Sequence, residues 1–123
     1  MPIGVSTGNE DECSSGTIGV RVTDDTDDTD VYALSNNHVY ALENAASIDS
    51  DVLQPGRFDT DCNIDLDDVI GTLSDFEPID FSGSNTIDAA IASTTTSLLG
   101  NATPSDGYGT PSPPSTPHTE IRM

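Results

Sequence analysis

Apolar residues in this chain alternate with polar ones over short runs, and turn-forming residues end each run before a helical period develops. In residues 17–22, isoleucine and valine occupy every second position, the period-two pattern of a strand with one buried face. Strands are predicted at residues 17–22, 31–34, 51–54, 69–73, 76–79 and 87–92. Short strands joined by turns, with at most one helical turn at 39–42, predict an all-β barrel or sandwich.

The charge balance narrows the possible partners. The chain has 22 acidic residues against three arginines and no lysine, for a net charge of −19. We expect no nucleic-acid partner, because a polyanion is repelled and no basic surface is available to release its counterions. Such acidity is typical of intrinsic disorder or of a solvated surface adapted to high salt. Strand patterns lie between the acidic runs, so we favour the salt-adapted surface typical of halophilic proteins.

Targeting signals are not visible in the sequence. No apolar run reaches the roughly 18 residues that a membrane-spanning helix needs, and we expect no membrane association. The first residues lack the basic and apolar regions of a secretion signal. Export and a salt-rich cytoplasm therefore both stay open. The sequence does not fix the oligomeric state, and we expect no cofactor.

Two acidic loops raise the question of calcium, which prefers clustered carboxylates. The run at 24–30 is predicted to be the tip of a hairpin. The run at 59–68 has oxygen-bearing side chains at alternate positions, and its weak calcium candidates are Asp59, Asp61, Asn63 and Asp65. Ile64 stands where an EF-hand loop needs glycine, and Ile70 where it needs glutamate. A solvated turn is the favoured interpretation of both loops, and no metal site is predicted.

The two cysteines are Cys13 and Cys62, and they lie far outside the spacing of a zinc motif. A disulfide between them is the favoured role. Two free thiols remain the alternative.

His38 follows a predicted strand through the polar residues Ser35, Asn36 and Asn37. A histidine at the end of a sheet can stay accessible to a substrate. Its ordinary pKa of about 6.5 lets it accept and donate a proton near neutral pH. Farther along the chain, Asp88 opens a small apolar strand. Histidine with a half-buried aspartate makes two thirds of a nucleophilic triad, so both are candidate catalytic residues.

The segments L-S-N-N-H-V (residues 34–39) and N-T-I-D-A-A-I-A (residues 85–92) resemble the histidine and aspartate segments of trypsin-like, chymotrypsin-fold serine peptidases. The similarity is greatest to a microbial, haloarchaeal branch. Further segments resemble that branch in the expected order, namely residues 1–8, 16–19, 52–56 and 70–73.

The resemblance implies the N-terminal half of the peptidase fold, an antiparallel six-stranded barrel. His38 would be the general base and Asp88 the residue that orients it, acting on a peptide or protein substrate once a second barrel is present. In that family the serine lies in the second barrel within a G-D-S-G motif, which this sequence does not contain. We therefore expect a truncated peptidase that is inactive alone.

The expected organisation is an irregular lead-in at 1–15, the barrel at 16–93 and a Ser/Thr/Pro-rich tail at 94–123, where His118 has no assigned role. Ser82 and Ser84 are poor candidate nucleophiles because they lie in a turn without an oxyanion-hole motif. Ser35 is too close to His38 along the backbone. The alternative function is a non-catalytic acidic β-domain, possibly calcium-binding, that serves as an interaction or structural module.

Overall fold

The computed structural model describes residues 1–24 and 27–111, and these form a curled, half-barrel sheet that is almost entirely antiparallel β structure. This confirms the expected all-β class. The sheet has seven strands in the order β2-β1-β5-β6-β7-β4-β3. The strands are β1 (Ser6–Asn9), β2 (Gly16–Thr17), β3 (Val20–Asp24), β4 (Asp27–Ser35), β5 (Asp51–Leu53), β6 (Val69–Phe76) and β7 (Ala90–Thr94).

In the part of the chain that the structure describes, helical structure is limited to short segments of three or four residues. The α-helix α1 covers Asn37–Tyr40, and two 3₁₀ turns cover Arg57–Thr60 and Leu66–Asp68. The helical turn begins two residues earlier than the predicted 39–42, so His38 lies inside it. No described helix is long and apolar enough to cross a bilayer.

Strands β3 and β4 form the predicted hairpin, with Val20 opposite Leu34 and Thr23 opposite Val31. The strands extend into the acidic run as far as Asp24 and Asp27. Its tip at residues 25–26 lies outside the described residues.

Three predicted strands, at residues 69–73, 76–79 and 87–92, had wrong boundaries. Residues 69–73 and 76–79 were predicted as paired strands, but the single strand β6 runs through to Phe76. The register between β6 and β7 is irregular between Leu73 and Asp75. This irregularity lets the strand continue through the polar residues Ser74 and Asp75. The last strand begins at Ala90 instead of residue 87, because the preceding residues belong to the loop that carries Asp88.

The lead-in expected to be irregular contains β1, whose Thr7 and Asn9 are fully buried. Hydrogen bonds compensate for burying these polar groups. The Thr7 hydroxyl donates to the Leu53 carbonyl at 2.8 Å, and the Asn9 amide donates to the Tyr40 carbonyl at 2.8 Å. A strand whose inward residues are polar leaves no hydrophobic alternation, so the pattern did not reveal it.

The two outermost strands of the sheet, β2 and β3, are consecutive in the chain and are linked by Ile18 and Gly19. The Ile18 N–H donates to the Val5 carbonyl at 2.9 Å, and the Gly4 N–H donates to the Ile18 carbonyl at 2.7 Å. The Gly19 N–H donates to the Leu34 carbonyl in β4 at 2.8 Å. The link is therefore hydrogen-bonded both to the residues that precede β1 and to β4. Strands β1 and β4 are the neighbours of β2 and β3 in the sheet.

The core is built from small and branched apolar side chains inside the curled sheet. Alanines from β4 and β7 meet larger residues from β5, β6 and α1. The members include Ile18, Ala33, Tyr40, Val52, Ile70, Leu73, Ala90, Ala92 and Leu99. Leu99 is fully buried and Ile3 N–H donates to the Ala102 carbonyl at 3.0 Å, so packing extends beyond the tail boundary expected at residue 94. Residues 112–123, with His118, lie outside the described residues.

A disulfide joins Cys13 to Cys62, with Cα atoms 5.1 Å apart. Arg57 reinforces the same junction. Its guanidinium donates to the Glu10 carbonyl at 2.8 Å and to the Cys62 carbonyl at 2.9 Å. The segment after β1 and the loop after the first 3₁₀ turn are thus tied together covalently and by hydrogen bonds.

Salt concentration is expected to control the stability of this fold. The 22 acidic residues face three basic ones, and the Arg21 and Arg57 side chains donate to backbone carbonyls. Raising the ionic strength from about 0.1 to about 1 M shortens the Debye length from about 10 to about 3 Å and weakens the repulsion. We expect the melting temperature followed by circular dichroism to rise with potassium chloride. An unchanged melting temperature between millimolar and molar salt would contradict a salt-adapted surface.

Candidate active site

The helical turn α1 places His38 just after the end of β4. A buried polar contact between Tyr40 and Thr7 fixes this turn against β1. Tyr40 is fully buried, and its hydroxyl lies 3.1 Å from the Thr7 hydroxyl. Burial raises the pKa of Tyr40, although the Thr7 hydrogen bond opposes the rise. The phenol therefore stays neutral and holds α1 against β1.

Close packing holds α1 from the side. Val39 is buried and lies directly against Gly16 in β2. A Cβ atom at residue 16 would lie only 2.3 Å from the Val39 side chain, so this approach requires glycine. The neighbouring His38 is not packed in this way, and its side chain is 55% exposed.

His38 and Asp88 meet at hydrogen-bond distance. The imidazole Nδ1 lies 2.5 Å from Asp88 Oδ2, although 50 residues separate the two along the chain. The pairing of β4 with β7 brings them together, because Ser35 lies opposite Ala90. The structure therefore juxtaposes the two residues that the sequence singled out.

The second oxygen of Asp88 caps the helical turn. Oδ1 accepts the Asn37 N–H at 2.5 Å and the His38 N–H at 3.3 Å. These are donors at a helix start that have no partner within the helix. The Asn36 side chain does not cap α1 and instead donates to the Asp88 carbonyl at 2.9 Å.

The surroundings of Asp88 favour its ionised form. Partial burial alone raises the pKa of Asp88, but the hydrogen bonds and charge of His38, together with the Asn37 N–H, lower it overall. An ionised carboxylate can only accept, so Nδ1 carries the proton of the imidazole. In the neutral ring, Nε2 then has a lone pair. Within the described part of the chain no protein group forms a hydrogen bond with Nε2.

The serines near the site do not complete a triad. The Ser35 hydroxyl is buried and donates to the Thr17 carbonyl at 2.8 Å. The Ser82 hydroxyl donates to Asp80 Oδ1 at 2.8 Å. Ser84 is exposed in the same loop.

The calcium candidates serve separate local contacts. Asp59 accepts a hydrogen bond from the Ser6 hydroxyl, and the Asp65 carboxylate accepts the Asp67 N–H at 2.9 Å. The Asn63 amide donates to the Thr60 carbonyl, and Asp61 ends the first 3₁₀ turn in a left-handed conformation. Among the side chains that the structure describes, no group of three or more histidine, cysteine, aspartate or glutamate residues is arranged to hold a metal ion.

Sequence reasoning missed the asparagines around the pair. Asn37 is fully buried and donates to Asn44 Oδ1 and to the Glu77 carbonyl, each at 2.8 Å. Asn36 contacts the Asp88 backbone. The sequence does contain two adjacent asparagines, Asn36 and Asn37, directly before the candidate base His38. This pair was the available signal, and the structure shows that Asn37 is the buried member.

An open groove of about 310 Å³ is lined by residues that flank Asp88 in the sequence and by residues at the end of β6. Its walls are mostly apolar, and two carboxylates stand on its rim. The lining residues are Asp75, Phe76, Glu77, Ile87, Ala89, Ala90 and Ile91.

Acid should weaken the folded state through Asp88. Its pKa is lowered by folding, so the stability it supplies is fully present above the unfolded value of about 3.9 and is lost as the pH falls through the lower folded value. We expect Asp88→Asn to reduce the loss of melting temperature below about pH 4. Circular dichroism melts of both proteins in molar salt would measure this. Parallel acid limbs would contradict the role of Asp88.

The site thus presents a half-exposed imidazole that Asp88 orients through Nδ1, and an unprotonated Nε2 is the type of group that can accept a proton from a hydroxyl group. Of the nearby serines, Ser35 and Ser82 donate their hydroxyl groups to other partners and not to His38. No protein-family model and no curated protein matches the chain.

Proposed function

We propose that this chain supplies the general base and its orienting aspartate to a trypsin-like serine endopeptidase, with the serine and oxyanion hole on a second barrel. The observation that carries the proposal is the 2.5 Å contact between His38 Nδ1 and Asp88 Oδ2, which engages Nδ1 and leaves Nε2 without a hydrogen bond among the described residues. In the completed site, Nε2 would take the serine proton as Oγ attacks the peptide carbonyl. It would then give that proton to the leaving amine.

The strand order supports a barrel of the resembled type. We propose that β2 and β3 are two parts of one strand bent at Ile18 and Gly19. The hydrogen bonds from this bend to Val5 and Leu34 support the interpretation. Counted in this way, the seven strands become a six-stranded barrel, in which β1 and β4 are the neighbours of the bent strand.

The isolated chain should hydrolyse peptides only at the background rate. A histidine–aspartate pair without a nucleophile has no covalent route, and no oxyanion hole stabilises the intermediate. The exposed fractions of the His38 and Asp88 side chains, 55% and 37%, are consistent with a surface that a second barrel would cover.

A fusion to the second barrel of a trypsin-like peptidase tests the proposal. A serine-directed phosphonate should label the barrel serine of this fusion, and His38→Ala should abolish the labelling. Labelling that persists without His38 would contradict the proposal. An unreactive fusion in which both barrels are folded would instead favour a non-catalytic module.

A further inference from the structure

The loop that carries Asp88 is exposed and irregular, yet both of its ends are held. This segment, residues 77–88, is called the aspartate loop below. It joins β6 to β7 without helix or strand, and residues 80–87 are exposed. The Glu77 N–H donates to the Ala89 carbonyl at 2.9 Å and closes its base. With so little burial, hydrogen bonds have to define its conformation.

Asn44 pairs with the backbone of this loop as another strand would. Its Nδ2 donates to the Ile79 carbonyl at 2.8 Å, and its Oδ1 accepts the Ile79 N–H at 2.9 Å. The side-chain amide thus satisfies both backbone groups of one loop residue. This reciprocal pair restrains the direction of the loop as well as its position.

The same amide is connected to the turn that carries His38. Asn44 Oδ1 also accepts from Asn37 Nδ2 at 2.8 Å, and Asn37 Oδ1 accepts the Asn44 N–H at 3.2 Å. Asn37 in turn donates to the Glu77 carbonyl, while its backbone N–H donates to Asp88 Oδ1. One hydrogen-bonded network therefore runs from the start of the aspartate loop to the carboxylate.

The backbone around Asn44 adopts an unfavourable conformation. Leu42, Glu43 and Asn44 have successive φ values of 51°, 58° and 74°. Left-handed conformations cost free energy for residues other than glycine, and such strain concentrates at functional sites. The left-handed turn directs the Asn44 amide toward the aspartate loop, where it forms its hydrogen bonds with Ile79. These hydrogen bonds offset the cost of the turn.

We infer that Asn44 is a positioning residue for the His38–Asp88 pair: acting through Asn37 and the Ile79 backbone, it sets the aspartate loop so that the carboxylate meets Nδ1. This inference rests on the proposed function for its meaning, but the geometry it describes can be measured without any peptidase activity. Asn44 touches neither His38 nor Asp88, so its effect is indirect.

Asn44→Gly is the sharpest test in the full chain, because glycine accepts the left-handed backbone and only the amide is lost. The matched control is Asp49→Gly, since Asp49 also has a left-handed φ, of 71°. Nuclear magnetic resonance would follow the Asp88 carboxyl titration and the hydrogen-bonded Nδ1–H proton of His38. In Asn44→Gly, the Asp88 pKa should rise toward that of a free aspartate, and the Nδ1–H signal should weaken or disappear. In Asp49→Gly, both should match the unaltered protein.

A second measurement on the unaltered protein keeps the inference testable if Asn44→Gly does not fold. The Ile79 N–H should exchange with solvent at least about tenfold more slowly, relative to its intrinsic rate, than those of Ser84 and Thr86 in the same loop. Equal protection, or a folded Asn44→Gly with an unchanged Asp88 titration and Nδ1–H signal, would overturn the inference. A fusion that lacks peptidase activity while Asn44→Gly still disturbs the pair would overturn the proposed function alone.

Discussion

Replacing Asp88 with asparagine in the two-barrel fusion is expected to lower kcat by about 10⁴-fold. The substitution preserves shape but places an amide where a carboxylate accepts from Nδ1. An amide N–H beside Nδ1 favours the tautomer whose proton lies on Nε2, and that nitrogen can no longer accept the serine proton. Asparagine also loses the charge that stabilises the protonated imidazole. Steady-state hydrolysis of a peptide ester or amide would measure the loss.

The matched control is Asp80→Asn, the same substitution in the same loop. Asp80 accepts hydrogen bonds from the Ser82 N–H at 2.9 Å and the Ser82 hydroxyl at 2.8 Å, which lower its pKa, but it does not contact His38. Its variant should retain most of kcat. If both variants lost activity equally, the loss would reflect disturbance of the loop and not the orientation of His38.

Removing the disulfide should cause the largest change in stability. In the chain-entropy model, cross-linking residues 49 positions apart stabilises the folded state by about 4 kcal/mol. We expect Cys13→Ser with Cys62→Ser to lower the free energy of unfolding by about this amount. Urea unfolding in molar salt would measure it, because guanidinium would itself screen the charges.

The control is reduction of the unaltered protein, which should reproduce the double variant, whereas reductant should not affect the double variant itself. A loss below about 1 kcal/mol would mean that the Arg57 hydrogen bonds already hold the junction. The His38–Asp88 contact lies on α1 and the aspartate loop, outside the junction, so its spectroscopic signals should survive reduction in salt.

Runs of small and branched apolar residues were enough to predict strands at 31–34 and 87–92. In β4, Val31 and Ala33 are buried, and in β7, which begins at Ala90 and not at residue 87, Ala90 and Ala92 are buried. Strand β1 escaped prediction because its inward side chains include Thr7 and Asn9. Their burial depends on partners such as Leu53 and Tyr40, which are remote in sequence and cannot be inferred from a local pattern.

The residues of the candidate site also differ in whether the sequence could predict them. His38 and Asp88 could be selected because their residue types, positions beside strands and family resemblance carry chemical meaning. Asn44 could not, because asparagine is common in loops and its role arises from pairing with the backbone at Ile79. Side-chain amides that replace strand partners leave no periodic trace in a sequence.

Strand β7 has a consequence for how the chain folds. It is the last strand of the described chain, yet it lies inside the sheet between β6 and β4. During synthesis, the earlier strands would emerge with the edges of β4 and β6 still lacking this partner, a state prone to aggregation. Insertion of β7 closes contacts between distant parts of the sequence, which slows folding. Because Asp88 precedes β7 and His38 follows β4, the His38–Asp88 contact forms at the same step that completes the sheet, and no shorter folding unit can carry it.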